Sequence, residues 1–202
     1  MDSSTAGTFV AYALGNEPAT FTASAAAVPE STLQQTGYEF VANENMEIER
    51  EFSVAGQSRQ AIVTNVLAKH ERSVDLGPLG SQRAAVFTAL TTPKAEVLGE
   101  TFNPVAEMSA TDLAEMAQDQ YQGVDKTQQQ RTSEVTINGT TTTQAKFGAT
   151  TTFAGTSVDV ALHVSEAVEL GSDFLVTFGG YPQRLSGEEE NIIELMESVG
   201  SA

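Results

Sequence analysis

Alternation of apolar and polar residues is the dominant pattern along the chain, and it predicts long strands. The segment "YEFVANENMEIEREFSV" carries Met46, Ile48, Phe52 and Val54 on one parity, and "RQAIVTNVLAKHERSV" alternates in the same way. The linking "AGQS" predicts a hairpin turn. After the glycine–proline loop "DLGPLGSQ", the segment "RAAVFTALTTP" predicts a buried strand that ends at Pro93.

The threonine-rich part of the chain is also interpreted as strands. Residues 127–157 contain eleven threonines, which alone would also suit a segment of low complexity. Large apolar residues recur too regularly for a disordered segment, and Asn138-Gly139 is a strong signal for a type I′ hairpin. The recurring residues are Val135, Ile137, Phe147 and Phe153.

The segment "VDVALHVSEAVELGSDFLVTFGGYP" predicts two antiparallel strands, with "GGYP" as the exit from the second. Its alternation separates an inward set of side chains from an outward set that we expect to meet solvent. His163 is therefore expected on an exposed sheet face. The inward set is Val158, Val160, Leu162 and Val164, and the outward set is Asp159, Ala161, His163 and Ser165.

Two helices begin with residues that favour helix starts. After a first strand in "ATFTASAAAVPES", Pro29 opens a short helix that stops at Gly37. In "SATDLAEMAQDQY", Ser109 is the expected cap and Asp112 follows it three residues later.

The final helix is predicted in "SGEEENIIELMESV". Ser186 and Glu189 have the spacing of a capping box, and three glutamates fall in the first turn, where the helix dipole favours them. Its expected buried stripe is Ile192, Leu195, Met196 and Val199.

The order strands, helix, strands, helix predicts an α+β fold in which one antiparallel sheet is packed by helices. We expect residues 1–18 to form a flexible lead-in and residues 19–202 to form a single domain. The sequence shows no apolar run long enough for a signal peptide or a membrane span, so no membrane insertion is expected.

Charge limits the classes of partner. Acidic residues number 27 against 10 basic ones, which gives a net charge of −17. Such a field repels nucleic acid and anionic lipid. The acidic residues are spread along the chain, a distribution that favours adaptation to high salt; cation binding is the alternative.

Few residues suggest chemistry. The chain has no cysteine, no nucleophile motif and no phosphate-binding loop, so we assign no catalytic, cofactor or metal residue. Calcium binding at "GEEEN" is the weaker alternative to a charged helix start. The sequon Asn138-Gly139-Thr140 has a sufficient explanation as a turn. The candidate ligand-facing residues are Asp159, His163, Tyr181 and Arg184.

Two segments carry a family resemblance: "SVDLGPLGSQRAAVFTALTTPKAEVLGETFNP" and "DVALHVSEAVELGSDFLVTFGGYPQRLSGEEENIIELMESV". From about residue 19 onward the chain resembles haloarchaeal domain-of-unknown-function proteins described as surface lipoproteins. Those proteins carry an export leader with a lipid-anchor cysteine, which this sequence lacks. The pattern is also similar to the PsbP-like fold, a sandwich whose members are mostly accessory or binding proteins.

The resemblance implies an extracellular or cell-surface location, with the cytoplasm as the alternative. Together with the missing catalytic motifs, it favours a non-enzymatic binding or accessory module of a halophile. The partner would be an unidentified protein or small molecule, and the chain a monomer or weak oligomer. A structural part of a cell-surface assembly is the alternative, and a hydrolase that uses carboxylates or His163 is a third hypothesis.

Overall fold

The computed structural model describes residues 18–54, 57–75, 81–94, 96–97, 100–101, 104–120, 124–153 and 156–202. Three predicted features fall wholly or largely outside these ranges. They are the lead-in up to residue 17, the centre of the "AGQS" turn and residues 76–80 of the "DLGPLGSQ" loop.

Strands make up most of the described chain, and the predicted strands are confirmed. The strands are β1 (Ala19–Thr22), β2 (Ala26–Ala27), β3 (Glu39–Val54), β4 (Gln57–Asp75), β5 (Ser81–Pro93), β6 (Glu96–Val97), β7 (Glu100–Thr101), β8 (Val124–Ile137), β9 (Thr140–Phe153), β10 (Thr156–Ser165), β11 (Val168–Leu170), β12 (Asp173–Pro182) and β13 (Gly200–Ser201). The helices are α1 (Glu30–Thr36), α2 (Ala110–Gln120) and α3 (Glu188–Ser198), and a 3₁₀ turn spans Pro104–Glu107.

Nine of these strands form one mixed sheet, so the broad α+β assignment agrees with the structure. Seven strands follow the order β3-β4-β5-β12-β10-β9-β8, and β11 pairs with β12 beyond the end of β10. Every neighbouring pair in this path is antiparallel. The purely antiparallel sheet predicted from the sequence is wrong in one respect, because β1 runs parallel to β4.

Local signals give the turns and helix ends that join these strands. Asn138 and Gly139 turn the β8–β9 hairpin with φ values of 49° and 75°, as a type I′ turn requires. Gly37 ends α1 in the left-handed conformation. The capping box of α2 is formed as predicted: the Ser109 hydroxyl donates to Asp112 at 2.7 Å, and the Asp112 backbone N–H donates back at 3.3 Å.

One face of the sheet, which we call the α3 face, is covered by α1 and α3. The predicted stripe of α3 is buried there, with exposed fractions of 0% to 1%. Gly179 on β12 allows the close approach of the helix, since a Cβ atom at that position would lie 2.6 Å from Cγ2 of Ile192. The core on this face includes Leu33, Phe87, Ala161, Leu175, Ile192, Leu195 and Met196.

The opposite face, the α2 face, is covered by α2. Leu113 and Ala114 are buried in a second core cluster with Phe147, Val164 and Val176. The expectation of a half-solvated β10–β12 pair is therefore wrong, because both of its faces lie under helices. Small residues such as Ala161 and Gly179, which the alternation assigned to solvent or to a strand exit, make room for α3.

Two further predictions about the last part of the chain are wrong. The "GGYP" residues lie within β12 rather than after it, since that strand continues to Pro182. Ser186 does not cap α3: Gly187 is the N-cap, in the left-handed conformation, and no side chain completes a cap hydrogen bond. Glu189 is instead engaged by basic residues of the sheet.

Candidate functional site

A single row of paired residues crosses the whole sheet on the α3 face and contains both histidines. Residues paired across neighbouring strands point to the same face, so the row places their side chains side by side. In order from β8 to β3 the row is Arg131, Lys146, His163, Gly179, Phe87, His70 and Phe40.

His163 lies in the middle of this row and is completely buried, with an exposed fraction of 0%. The prediction of an exposed histidine is therefore wrong. Its Nδ1 lies 3.1 Å from Oε1 of Gln144, and its Nε2 lies 3.2 Å from the hydroxyl of Tyr181. The rings of His163 and Tyr181 stack with their centroids 5.7 Å apart.

These contacts assign the proton on His163. Because Gln144 presents its carbonyl oxygen, Nδ1–H is the donor and Nε2 accepts from the hydroxyl of Tyr181. The amide of Gln144 then donates to the Ser133 hydroxyl at 2.6 Å, which completes a directed chain. The pKa of His163 is lowered to about 4, and burial is the main cause. The charge of Glu189 opposes this shift, and the charges of Lys146 and Arg131 add to it.

Of the four candidate ligand-facing residues, the structure brings together only His163 and Tyr181. Tyr181 is buried, and burial raises the pKa of its hydroxyl, with Glu189 as the next cause. Asp159 is exposed, and its Oδ1 accepts from the Thr150 hydroxyl at 3.3 Å. Arg184 is exposed and makes no ion pair within the described residues. No shared site links these four side chains.

Glu189, in the first turn of α3, connects the helix to the edge of the same row. Its carboxylate accepts from Nζ of Lys146 at 2.6 Å and pairs with the guanidinium of Arg131. The hydrogen bond from Lys146 is the main reason that the pKa of Glu189 is lowered. This pairing explains why Glu189 is not available for the predicted capping box.

A second carboxylate of the same turn, Glu188, is wholly buried, which neither the expected charged helix start nor the calcium alternative at "GEEEN" indicated. It pairs with Arg72 of β4 and accepts from the Asn191 amide at 3.3 Å. The neighbouring hydroxyl of Tyr38 is also buried, and its pKa is raised first by burial and then by the charge of Glu188. Because Glu188 and Arg72 are 116 positions apart, no local pattern could have indicated this pair.

His70, the second histidine of the row, is also buried. Its exposed fraction is 2%, and its ring lies between those of Phe40 and Phe87, with centroids 5.5 and 5.9 Å away. Burial lowers its pKa. Along the row, His70 is separated from His163 by Gly179 and Phe87.

The row is buried where the two histidines lie, and a groove opens beside its acidic margin on α3. A shallow groove of about 650 Å³ runs beside α3 and is lined by Arg131, Glu189, Glu190, Ile193, Glu194 and Glu197. Within the described residues, no group of three or more histidine or acidic side chains is arranged to hold a metal ion. Nor is any helix there both long and apolar enough to cross a bilayer.

A family described as a domain of unknown function, DUF6517, matches residues 25–200, from just before β2 to the start of β13. The chain belongs to the DUF6517 family. No curated protein matches the sequence. The matched range includes every residue of the row and the whole of α3, so the DUF6517 domain contains the buried histidine and carboxylate networks described above.

Proposed function

We propose that this DUF6517 protein is a non-enzymatic binding or accessory module that works outside the cytoplasm of a salt-adapted cell. The sealed environment of His163, with both ring nitrogens partnered and an exposed fraction of 0%, carries the proposal. A general base must reach a substrate proton directly or through one water. Gln144 and Tyr181 already occupy both nitrogens, so recognition suits the molecule better than hydrolysis by His163.

The surface that best suits recognition is the β3 edge, which we define as residues 39–51. Among the described residues, β3 pairs with β4 alone and so leaves its other edge available. Phe40 and Val41 are 51% and 52% exposed and, with Val86, are the large hydrophobic side chains exposed in the described chain. An extended partner segment can add to such an edge through backbone hydrogen bonds and anchor on apolar side chains.

Charge on the β3 edge favours a partner that differs from this chain. Glu44, Glu47, Glu49 and Glu51 are all exposed along the strand. Charged residues on an edge strand oppose its pairing with the same edge of another copy, because like charges would meet. This supports a monomer that recognises another molecule over an assembly of identical strands.

Single introduced cysteines test the binding surface, since the chain has no cysteine of its own. Asn43→Cys and Glu47→Cys place a thiol on the β3 edge, and Glu115→Cys places a control thiol on the exposed side of α2. Each variant carries a thiol-attached photo-crosslinker in the cells that naturally produce the protein. We expect both β3 positions to capture one and the same protein, Glu115→Cys to capture none, and Phe40→Glu to abolish capture.

The same variants test location. A membrane-impermeant maleimide added to intact cells should label Glu115→Cys if the protein is outside the cytoplasm. Protection of that thiol until the cells are lysed would contradict the proposed location. Capture from Glu115→Cys as efficient as from the β3 positions would contradict the proposed surface, and capture of a second copy of this chain would favour the structural alternative.

Salt adaptation is the remaining part of the proposal. It is supported by the net charge of −17 and by the spread of acidic residues along the chain. We expect the thermal unfolding temperature to rise continuously from tenth-molar to molar potassium chloride, as repulsion between carboxylates is screened. Millimolar calcium at low salt is the control: a rise of several degrees with calcium alone would indicate a specific cation site instead.

A further inference from the structure

The tip of the β8–β9 hairpin combines a turn with a modification signal. Asn138-Gly139-Thr140 is the chain's sole N-x-[ST] sequence, and all three residues are exposed. The turn explains why asparagine and glycine occupy the first two positions, since both have positive φ. It does not require a hydroxyl at position 140, where β9 begins.

Space around the turn is open on the outer side. A Cβ atom placed on Gly139 would have no other atom within 4 Å. The Asn138 side chain leans inward, where its Nδ2 donates to the backbone carbonyl of Glu169 at 3.2 Å. That contact uses one of the two N–H bonds of the amide. The second N–H can be replaced without loss of the contact.

We propose that Asn138 is a site of N-linked glycosylation, an inference that rests on the proposed location outside the cytoplasm. The donor class is an oligosaccharide linked through phosphate to a lipid carrier. In the transfer, a bond forms between Nδ2 of Asn138 and C1 of the first sugar, and the bond between C1 and the phosphate oxygen of the carrier breaks. The amide loses one proton, the carrier leaves as its phosphate, and nothing is oxidised or reduced.

The attached sugar would project from the tip of the hairpin, beside the carbonyl of Glu169 and near Gly200 of β13. A Cβ atom on Gly200 would lie 3.9 Å from Oδ1 of Asn138, so the inner side of the asparagine is bounded by backbone. Because all three residues of the sequon are exposed, the side open to a glycan is the solvent side of the turn. Its attachment leaves the cores on the α2 and α3 faces unchanged.

Peptide mapping tests the assignment directly. The protein is purified from the cells that naturally produce it, after the maleimide experiment has established whether it is outside the cytoplasm. Trypsin cleaves after Arg131 and Lys146 and releases residues 132–146, in which Asn138 is the sole asparagine. We expect this peptide to carry a sugar-containing mass addition in most copies of the wild-type chain and of Thr140→Ser.

Two variants should lose the sugar-containing mass addition, and a further control, besides Thr140→Ser, should retain it. Thr140→Ala removes the sequon hydroxyl, and Asn138→Asp removes the amide while keeping a residue that tolerates positive φ. Thr142→Ala, a matched change on the same strand beyond the sequon, should retain the addition. If the protein is found outside the cytoplasm and its peptide is unmodified, the proposed glycosylation of Asn138 is wrong, and the binding proposal is unaffected. An addition that persists in Asn138→Asp identifies sugar on a serine or threonine hydroxyl of the peptide and also overturns the assignment. Protein found inside the cytoplasm overturns both the glycan and the proposed location.

Discussion

His163 and Tyr181 lie face to face on the α3 face, with ring planes 22° from parallel and the tyrosine hydroxyl 3.2 Å from Nε2 of the histidine. The tyrosine donates this hydrogen bond, and that is possible only while Nε2 carries no proton. Protonation of His163 would reverse this hydrogen bond, so that the tyrosine oxygen accepts, and would bury a positive charge near those of Lys146 and Arg131. The packing between β10, β12 and α3 therefore favours the neutral histidine.

The first prediction is that His163 makes the protein less stable in acid. Its pKa is 6.5 in the unfolded chain and about 4 in the folded protein, so the unfolded chain binds more protons between these values. The contribution of His163 to the free energy of unfolding is fully present above pH 6.5. It is lost as the pH falls toward 4, by about 3 kcal/mol in total. Urea unfolding at several pH values measures the loss.

His163→Gln supplies the comparison, because glutamine cannot titrate in this range. We expect the variant to be less stable than the wild type at pH 7 but to lose less stability on acidification. Carboxylates distant from His163 titrate alike in both proteins, so their contribution cancels in the difference, whereas the coupling of Glu189 to His163 belongs to the effect that is measured. Parallel loss of stability in the two proteins would show that His163 does not carry the effect.

The second prediction concerns the contact between Gly179 and Ile192. Gly179→Ala should destabilise the protein by about 2 kcal/mol, the usual cost of overpacking a core, because the new methyl would lie 2.6 Å from Ile192. The double variant Gly179→Ala with Ile192→Ala should recover part of that loss. Denaturant unfolding of the two single variants and the double variant measures this recovery as a coupling free energy. Gly148→Ala is the control, since its methyl would meet the movable side-chain amides of Gln130 and Gln183. Equal costs at Gly179 and Gly148 would contradict the prediction.

The third prediction compares two serines that precede helices. Ser109→Ala should cost about 1 kcal/mol, because it removes the side-chain cap of α2. Ser186→Ala should change stability by less than about 0.5 kcal/mol, since Gly187 caps α3 without help from that hydroxyl. Thermal unfolding distinguishes the two, and a large effect at Ser186 would restore the capping box that the sequence suggested.

The fourth prediction tests the partly buried ion pair between Arg72 of β4 and Glu188 of α3. Arg72→Met leaves the carboxylate of Glu188 buried without its partner and should destabilise the protein by about 3 kcal/mol. Arg72→Met with Glu188→Gln should be markedly more stable than Arg72→Met alone, because no uncompensated charge remains. Urea unfolding of the wild type, the two single variants and the double variant gives the coupling free energy between Arg72 and Glu188. Additive effects of the two changes would indicate that the pair does not interact.

Elements whose cause is local were predictable from the sequence. Asn138-Gly139 specifies its turn within two residues, and Ser109 with Asp112 specifies the start of α2 within four. The apolar stripe of α3 follows from helical spacing and is buried as predicted. Each of these features depends on neighbours in the sequence, so the pattern contains the information that the structure uses.

The candidate site was not predictable in the same way. The outward parity of β10 carries Asp159, Ala161, His163 and Ser165, a set that resembles a solvent face because none of its members is large and apolar. In the structure the small members admit α3, and the polar member His163 is satisfied by Gln144 and Tyr181, 19 and 18 residues away in the sequence. Partners at such separations leave no periodic signal, and so alternation alone assigned the wrong environment.

The pairing of β13 with β2 joins the two ends of the matched domain, since Gly200 lies opposite Ala27. The central sheet also depends on distant partners, because β5 pairs with β12 about eighty residues later. Contacts of this kind form slowly, as a long loop must close before any of them is gained. The sheet of the domain therefore cannot be completed while the chain is still being synthesised. Until α3 and β13 have emerged from the ribosome, the α3 face of the sheet lacks its cover, and during that interval the chain is most exposed to misfolding and to capture by chaperones.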